Sequence, residues 1–370
     1  MTFEVILFYV FLIVCLIQLG IYALIFLPFS ISKPKQPSLK KIGVSVLVCA
    51  KNEAENLKRL IPEILKQDFP EFELVLINDD SKDNSLEIMR EFAQRHSNIK
   101  VVDVKPIDSF WNNKKYPLTL GIKAATHDFL LFTDADCIPL SDQWIKSMSR
   151  RFSNEKGIVL GYGAYKKIKG SLINLIIRFE TVLTAMQYFS MAKIGRPYMG
   201  VGRNLAYRRD LFYEAGGFKD HMHVLSGDDD LFVNQVATKE NTALCLDPEG
   251  FTESLPKTGF QSWFRQKMRH ISASPHYKIA DKFSLGIFNL SLLLFWALTI
   301  ILLITGFNFT LILALAFIRI VLAILIYGLC AKRFNESDTA WLFPLLELFL
   351  IIFHLVIFIS SLTSKKQHWR

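Results

Sequence analysis

Asp134 and Asp136 close an apolar, aromatic-rich run, FLLFTDADCIP over residues 129–139, that otherwise reads as a buried strand. On an extended segment the side chains at i and i+2 point the same way, so both carboxylates can face one ligand. Held close, they repel each other unless a positive charge lies between them. A divalent cation meets that need, and Mg2+ or Mn2+ is the expected choice, because hard ions match carboxylate and phosphate oxygens. Ala135 between them is small enough to let a diphosphate approach. An isolated Asp-x-Asp more often caps a loop or the start of a helix, here the one beginning near SDQW. The pair therefore needs other chemical groups around it before it implies chemistry.

Other polar clusters supply that company. GVSVLVCAKNE ends in Ala50, Asn52 and Glu53, FELVLINDD ends in Asp79 and Asp80, and SGDDDL places Asp228, Asp229 and Asp230 in a row. Taken alone, each has a plain reading as a turn or as the acidic opening of a helix. The elements that carry them change the reading. Four β-branched, apolar runs (GVSVLVCA, FELVLIND, IKVVDV and DFLLFTD) alternate with NEAENLKRLIPEILKQ, SLEIMREFAQRH and PLTLGIKAAT, whose apolar residues recur at helical spacing. Such alternation predicts an α/β fold, a mostly parallel sheet flanked by helices. In these sheets ligands bind beyond the carboxyl ends of the strands. The first, second and fourth runs end in polar clusters, so those clusters should converge.

Composition bounds the rest. The chain has 370 residues, 51% of them hydrophobic, which is too apolar for an ordinary soluble protein and too charged for one embedded throughout. Apolar runs gather at the two ends. Residues 1–30 predict a transmembrane anchor, longer than a typical signal-peptide core and without a basic start or a clear cleavage site. A basic linker over 31–42, SKPKQPSLKK within it, places the globular part on the cytoplasmic side. Residues 43–280 form that part, with an interfacial helix over about 170–194 in which Arg178 and Glu180 interrupt an apolar run. Residues 281–364 predict a C-terminal membrane region of two or three spans. The last of these carries Pro344, Glu347 and His354 and is either a span or a re-entrant segment; a basic tail over 365–370 follows. The net charge of +9 comes from 43 Lys and Arg against 34 Asp and Glu. Much of that excess flanks apolar runs, so anionic lipid accounts for it and no nucleic acid is expected. The five cysteines are scattered without metal-binding spacing and read as reduced thiols.

Five blocks now stand in a recognisable order: VSVLVCAKNEAENL, LVLINDDSKDNS, NKKYPLTLGIKAATHDFLLFTDADC, GVGRNLAYRRDLFYEAGGF and SGDDDLF. In this the chain resembles family 2 glycosyltransferases of the GT-A fold, over about residues 44–270. The resemblance implies a nucleotide edge at Ala50, Asn52, Glu53 and Asp79. Asn78 replaces a frequent acid there and Asp80 a frequent glycine, which leaves the base open between UDP and GDP. It implies a diphosphate contact at Lys114, with Lys115 a competitor for the role. Asp134, also counted with the nucleotide, and Asp136 match the metal-binding pair. A base for the acceptor hydroxyl falls among Asp228, Asp229 and Asp230; counting back from Leu231 favours Asp228, and Gly227 stands where a Glu is common.

The acceptor and diphosphate side is implied at Gly200, Gly202, Arg203 and Asn204, and at Gln266, Arg269 and His270 of WFRQKMRH. There His270 replaces the tryptophan usual in membrane synthases, which weakens the case for a processive polymerase. The implied activity is an inverting, metal-assisted transfer of a sugar from a UDP- or GDP-sugar to a hydroxyl of a lipid or lipid-linked glycan. The implied setting is a bacterial inner membrane with the catalytic domain in the cytoplasm. A processive polysaccharide synthase is the enzymatic alternative, and a nucleotide-binding scaffold of an export complex the non-enzymatic one.

Overall fold

Apolar runs bounded by polar turns become strands whose two faces are both covered. The computed structural model describes residues 2–33, 42–105 and 114–363; most of the linker expected at 31–42, the tail at 365–370 and Asn113 lie outside the described residues. A first helix, α1 (Phe3–Ser30), leads to β1 (Val44–Ala50), α2 (Ala54–Leu65), β2 (Phe72–Asp79), α3 (Ser85–Arg95), β3 (Ile99–Val104), α4 (Lys115–Ala124) and β4 (Phe129–Asp134). β5 (Cys137–Pro139), α5 (Trp144–Ser149), β6 (Ile158–Leu160) and β7 (Gly163–Tyr165) follow, then the long α6 (Leu172–Lys193) and β8 (Leu205–Arg208).

Seven strands form one sheet in the order β3-β2-β1-β4-β8-β6-β9, with β9 at Thr242–Leu244. β3, β2, β1 and β4 run parallel, as do β6 and β9, while β8 is antiparallel to both its neighbours. The chain winds outward from β1 to β3 and then crosses back to lay β4 on the other side of β1. That reversal opens a crevice between the ends of β1 and β4, where Cys49 sits opposite Asp134. Alternation along each strand splits the core. Leu47, Val75, Ile77 and Phe132 pack on Leu118 and Ile122 of α4, whereas Val46, Val48, Leu76 and Leu131 pack on Leu57, Ile61 and Ile64 of α2. A smaller sheet, β5-β10-β7 with β10 at Thr252–Ser254, extends from the end of β4.

Among the described residues four helices are long and apolar enough to cross a membrane: α1 and three near the C-terminus, α10 (Ile279–Thr305), α11 (Phe309–Arg333) and α12 (Phe343–Thr363). Two shorter helices intervene before them among the site elements, α8 (Asp230–Val236) and α9 (Phe260–Ile271), after α7 (Arg209–Glu214). The polar residues of the last apolar segment have partners. Glu347 pairs with Arg319 of α11, and His354 Nε2 lies 3.5 Å from Glu180.

α6 occupies the stretch expected as a helix on the bilayer surface, but it is wedged among protein elements, with Phe179, Val182, Met186 and Phe189 buried. Its two interrupting charges are buried too. Arg178 is bound by Glu336 and Asp338, and Glu180 by Lys267 of α9 at 2.6 Å. A charge without a partner would be costly in that position, so the ion pairs fix how α6 joins the C-terminal helices to the sheet.

Candidate active site

The carboxyl ends of β1, β2 and β4 bring three of the polar clusters to one edge of the sheet. Asp134 ends β4 half-buried, and the Nζ of Lys114, one residue before α4, lies 2.6 Å from its Oδ1. The same ammonium stands 3.3 Å from Oδ2 of Asp228, so one cation bridges the strand end to the distant acid run. Burial raises the Asp134 carboxyl, but the charge and hydrogen bond of Lys114 outweigh it and hold the group below the ordinary carboxylate range. Among the described contacts Asp136 has only the Cys137 thiol, at 3.6 Å, and burial with the Asp134 charge pushes it up. Arg203 contributes positive field to both acids.

Ligand atoms of Asp134, Asp136 and Cys137 lie within 4.8 Å of one another. The two carboxylates offer the hard oxygens that Mg2+ or Mn2+ takes. Cys137 is a poor third ligand. Its buried thiol shares a 2.8 Å hydrogen bond with Ser254, and burial pushes it well up, away from the thiolate.

Lys114 and its neighbour have divided their tasks. Lys115 is turned into the protein, where its ammonium donates to the carbonyls of His221 (3.1 Å), Val224 (2.6 Å) and Ser226 (2.5 Å). It thereby clamps the loop that delivers Asp228, and burial lowers its pKa to about 8. Gly227 in that loop has φ +91°, and a Cβ there would meet Leu231 at 2.5 Å. A glutamate at this position would be strained, which accounts for the glycine.

The three acids are held unequally. Asp229 accepts from the backbone N–H of Gly202 (2.6 Å) and of Asp230 (2.7 Å), and burial with the nearby Asp228 charge raises it to about 6. Asp230 accepts from Leu231 N (2.7 Å) and from the hydroxyl of Tyr277 (2.7 Å), yet burial and Asp229 lift it to about 8. Among the described contacts Asp228 has the side-chain ammonium of Lys114 and no backbone donor, which leaves it the most available of the three. A small pocket lies against Asp228, Asp229, Lys114, Gly202, Cys49 and Tyr207.

The residues expected at a nucleotide edge lie on a pair of cross-linked loops. Ala50 is buried at the end of β1; Asn52 N donates to Ser81 Oγ (3.0 Å), and Lys82 N donates to Asn52 Oδ1 (2.7 Å). Asn52 and Asp80 both adopt left-handed backbone, at φ 57° and 48°. A glycine is easiest in such a position, and short polar Asn and Asp are the side chains that best tolerate it. Asn78 uses its amide to hold Asp103 of β3 (2.8 Å) and its carbonyl to accept from Ser81 N (3.3 Å). Asp79 lies 3.5 Å from Lys51 and is raised by burial. Glu53, also raised by burial, feels the charge of Asp136, which ties this edge to the acid pair.

On the opposite side the implied acceptor residues part company. Gly202 holds Asp229, as above. Gly200 packs among Leu160, Leu205 and Val233. Asn204 is fully buried: it accepts from Trp144 Nε1 (3.0 Å) and donates to the carbonyls of Tyr162 (2.9 Å) and Gly250 (2.7 Å), so its amide is committed to joining the two sheets. Arg203 lies 4.2 Å above the Tyr165 ring and donates to Ala164 O (3.1 Å). Gln266 of α9 donates to the hydroxyl of Tyr165 (3.2 Å), and Arg269 contributes positive field at Asp134. His270 is exposed near the end of the same helix. Ser226 donates to the Arg269 carbonyl (3.0 Å), docking α9 on the acid loop. Tyr277 and the clamp role of Lys115 carry no local signal in the sequence, because their partners lie 47 and about 110 residues away.

The profile of Glycosyl transferase family 21 matches residues 10–370. A poly-beta-1,6-N-acetyl-D-glucosamine synthase of Staphylococcus epidermidis is 35% identical over 97 residues, 26% of this chain and 22% of that protein. A probable glycosyltransferase of Bacillus subtilis, YdaM, is 26% identical over 237 residues, 61% of this chain and 54% of the relative. The chain thus spans about half or less of the length of these curated relatives. Among solved structures, a mannosyltransferase of Pyrobaculum calidifontis in complex with GDP-Man and Mn2+ aligns with a TM-score of 0.62 over 97% of this chain and 100% of that one, at 16% identity. At that identity the likeness shows a shared GT-A-type fold.

Proposed function

This chain belongs to glycosyl transferase family 21, and we propose that it moves a sugar, with inversion, from a UDP- or GDP-linked donor to a hydroxyl of a lipid or lipid-linked glycan. The observation that carries this reading is the convergence of Asp134 and Asp228 on the ammonium of Lys114, with Asp136 beside Asp134, at a topological switch point of the sheet.

Each group has a task that its surroundings fit. The loops at Asn52, Glu53 and Asp79 take the nucleoside, and Lys114 neutralises diphosphate charge. Asp134 and Asp136 hold Mg2+ or Mn2+, which when bound stabilises the charge growing on the departing nucleoside diphosphate. Asp228 removes the acceptor proton: it is the acid least occupied by backbone donors and faces the same cavity as Lys114. Asp229 and Asp230 position the loop and helix behind it. Arg203 and Arg269 add positive field on the diphosphate side. The complex of the Pyrobaculum protein with GDP-Man and Mn2+ supports a nucleotide sugar and a divalent ion in this fold.

Residues 1–30 and 281–364 anchor the enzyme with four spans, and the basic flank SKPKQPSLKK puts residues 43–280 in the cytoplasm of a bacterial cell. A processive synthase is the second reading, favoured by the Staphylococcus relative's name. His270 in place of the stacking tryptophan favours single transfer.

The test is sugar transfer from a panel of UDP- and GDP-sugars into lipid extracts of membranes carrying the protein. Transfer that stops with a chelator and returns with Mn2+ or Mg2+ is expected. Chelator-insensitive transfer, or none from any donor in the panel, would overturn the proposal.

A further inference from the structure

A second cavity lies between α1, the end of α6 and the start of α10. Ile25, Phe26, Met191, Leu285 and Phe288 give it an apolar wall. Apart from Gln187 of α6, its polar groups gather near the first turn of α10. There Arg196 Nη2 (3.4 Å) and Ser284 Oγ (2.8 Å) both donate to the carbonyl of Ala280, beside Asp281. Two of its three walls belong to helices long enough to span a membrane. Their outward residues near the cavity, Leu24 and Leu290, are 73% and 57% exposed. One end is therefore apolar and bordered by surface suited to lipid, and the other is polar.

The polar end touches the acid helix. Asn234 of α8 donates to Tyr198 O and to Asp281 Oδ2, both at 2.9 Å, and Tyr198 and Asp281 line the cavity. The Tyr198 ring meets that of Tyr277 at 6.1 Å, and Tyr277 donates to Asp230. Asn234, Tyr198 and Tyr277 thus link the cavity to the acid run.

We propose that this cavity seats a hydrocarbon chain of the acceptor lipid. The chain enters from the bilayer between α1 and α10, and the head group is directed past Tyr198 and Tyr277 toward Asp228. The site for the chain stands on the cavity itself, while its role in the reaction rests on the glycosyl-transfer reading above. An apolar chain fits because Ile25, Phe26, Met191, Leu285 and Phe288 offer it the same kind of apolar contact that it leaves in the bilayer, whereas a soluble sugar would leave its hydroxyls facing Leu285 and Phe288 without partners.

The experiment uses the full chain in detergent, photolabelled with a long-chain fatty alcohol carrying a diazirine in its chain. Label is expected in peptides containing Ile25, Met191 and Leu285. Ile25→Trp and Leu285→Trp, which fill the cavity, should each reduce that label, and sugar transfer into the lipid extract of membranes, by about 10-fold or more while nucleotide-sugar binding stays at the wild-type level. Label spread evenly over all four apolar helices, or unchanged in both variants, would overturn the proposal. So would label lost in the variants with transfer intact, which marks a structural lipid. A wild-type protein that binds no nucleotide sugar would overturn the transfer reading, and with it the acceptor role; wild-type transfer in both variants would overturn the cavity's role alone.

Discussion

Arg319 and Glu347 meet between α11 and α12 with side chains 0% and 1% exposed, whereas Lys114, Asp134 and Asp228 meet at the sheet edge with 21%, 33% and 16% exposed. The residue types match, but their surroundings differ. Arg319 donates to both oxygens of Glu347 (2.6 and 2.9 Å) and to Gln18 of α1 (2.6 Å). Glu347 also accepts from Trp296 Nε1 (3.0 Å) and Tyr22 (3.3 Å). Four helices are thereby locked in register by one nearly saturated network, in which Nε of Arg319 alone among its nitrogens has no partner. At the sheet edge a single ammonium serves two carboxylates, while Asp136, Asp229 and Asp230 are all held above the ordinary range. A charge cluster with its partners built in fixes structure. One left short of positive charge and open to solvent is prepared for a ligand that brings it.

The contrast can be broken from either side. Arg319→Met leaves Glu347 buried without its cation and should destabilise the folded protein by about 3–5 kcal/mol, seen as a large fall in melting temperature in detergent. Adding Glu347→Leu should restore most of that loss, since an apolar pair of similar volume suits the site. If the single variant melts like the wild type, the network is not structural. Asp136→Ala should do the reverse. Melting should change little, while sugar transfer falls about 10²–10³-fold, the scale of losing one stabilising contact to developing charge. A variant that loses stability instead would place Asp136 with the structural class.

The smallest effect sharpens the account of the acid run. Burial raises Asp230 to about 8, against about 3.9 for an unperturbed aspartate. The folded state therefore holds a proton that the unfolded chain releases, and this group's contribution to stability falls as pH rises from about 4 to about 8. Asp230→Asn, which keeps a neutral side chain, should gain stability relative to the wild type across that window. Melting curves at several pH values check it; a difference that is flat, or that shrinks as pH rises, would contradict the assignment.

The parallel part of the fold was readable because its strands are continuous apolar runs ending in polar residues, and its helices carry 3.6-residue periodicity. The small sheet was not, since β5, β7 and β10 are three residues each and pair only through distant partners. Asp134, Asp136 and Asp228 stood out because aligned like charges are costly without a ligand. Lys114 and Lys115 could not be told apart by spacing, and only the start of α4 turns one to the acids and the other to the loop carbonyls. Asn204 looked like a ligand contact in sequence, but a buried amide is as valuable for joining two sheets. The ion partners of α6, among them Lys267, Asp338 and His354, lie far along the chain, beyond the reach of any local pattern.

The proposal stands or falls on Asp228 taking the acceptor's proton beside the Asp134–Asp136 pair. Donor binding and sugar transfer measured side by side on Asp228→Asn and the wild-type protein test it most directly. Unchanged nucleotide-sugar affinity with transfer reduced by at least about 10²-fold is the predicted result. Transfer at the wild-type rate would contradict it.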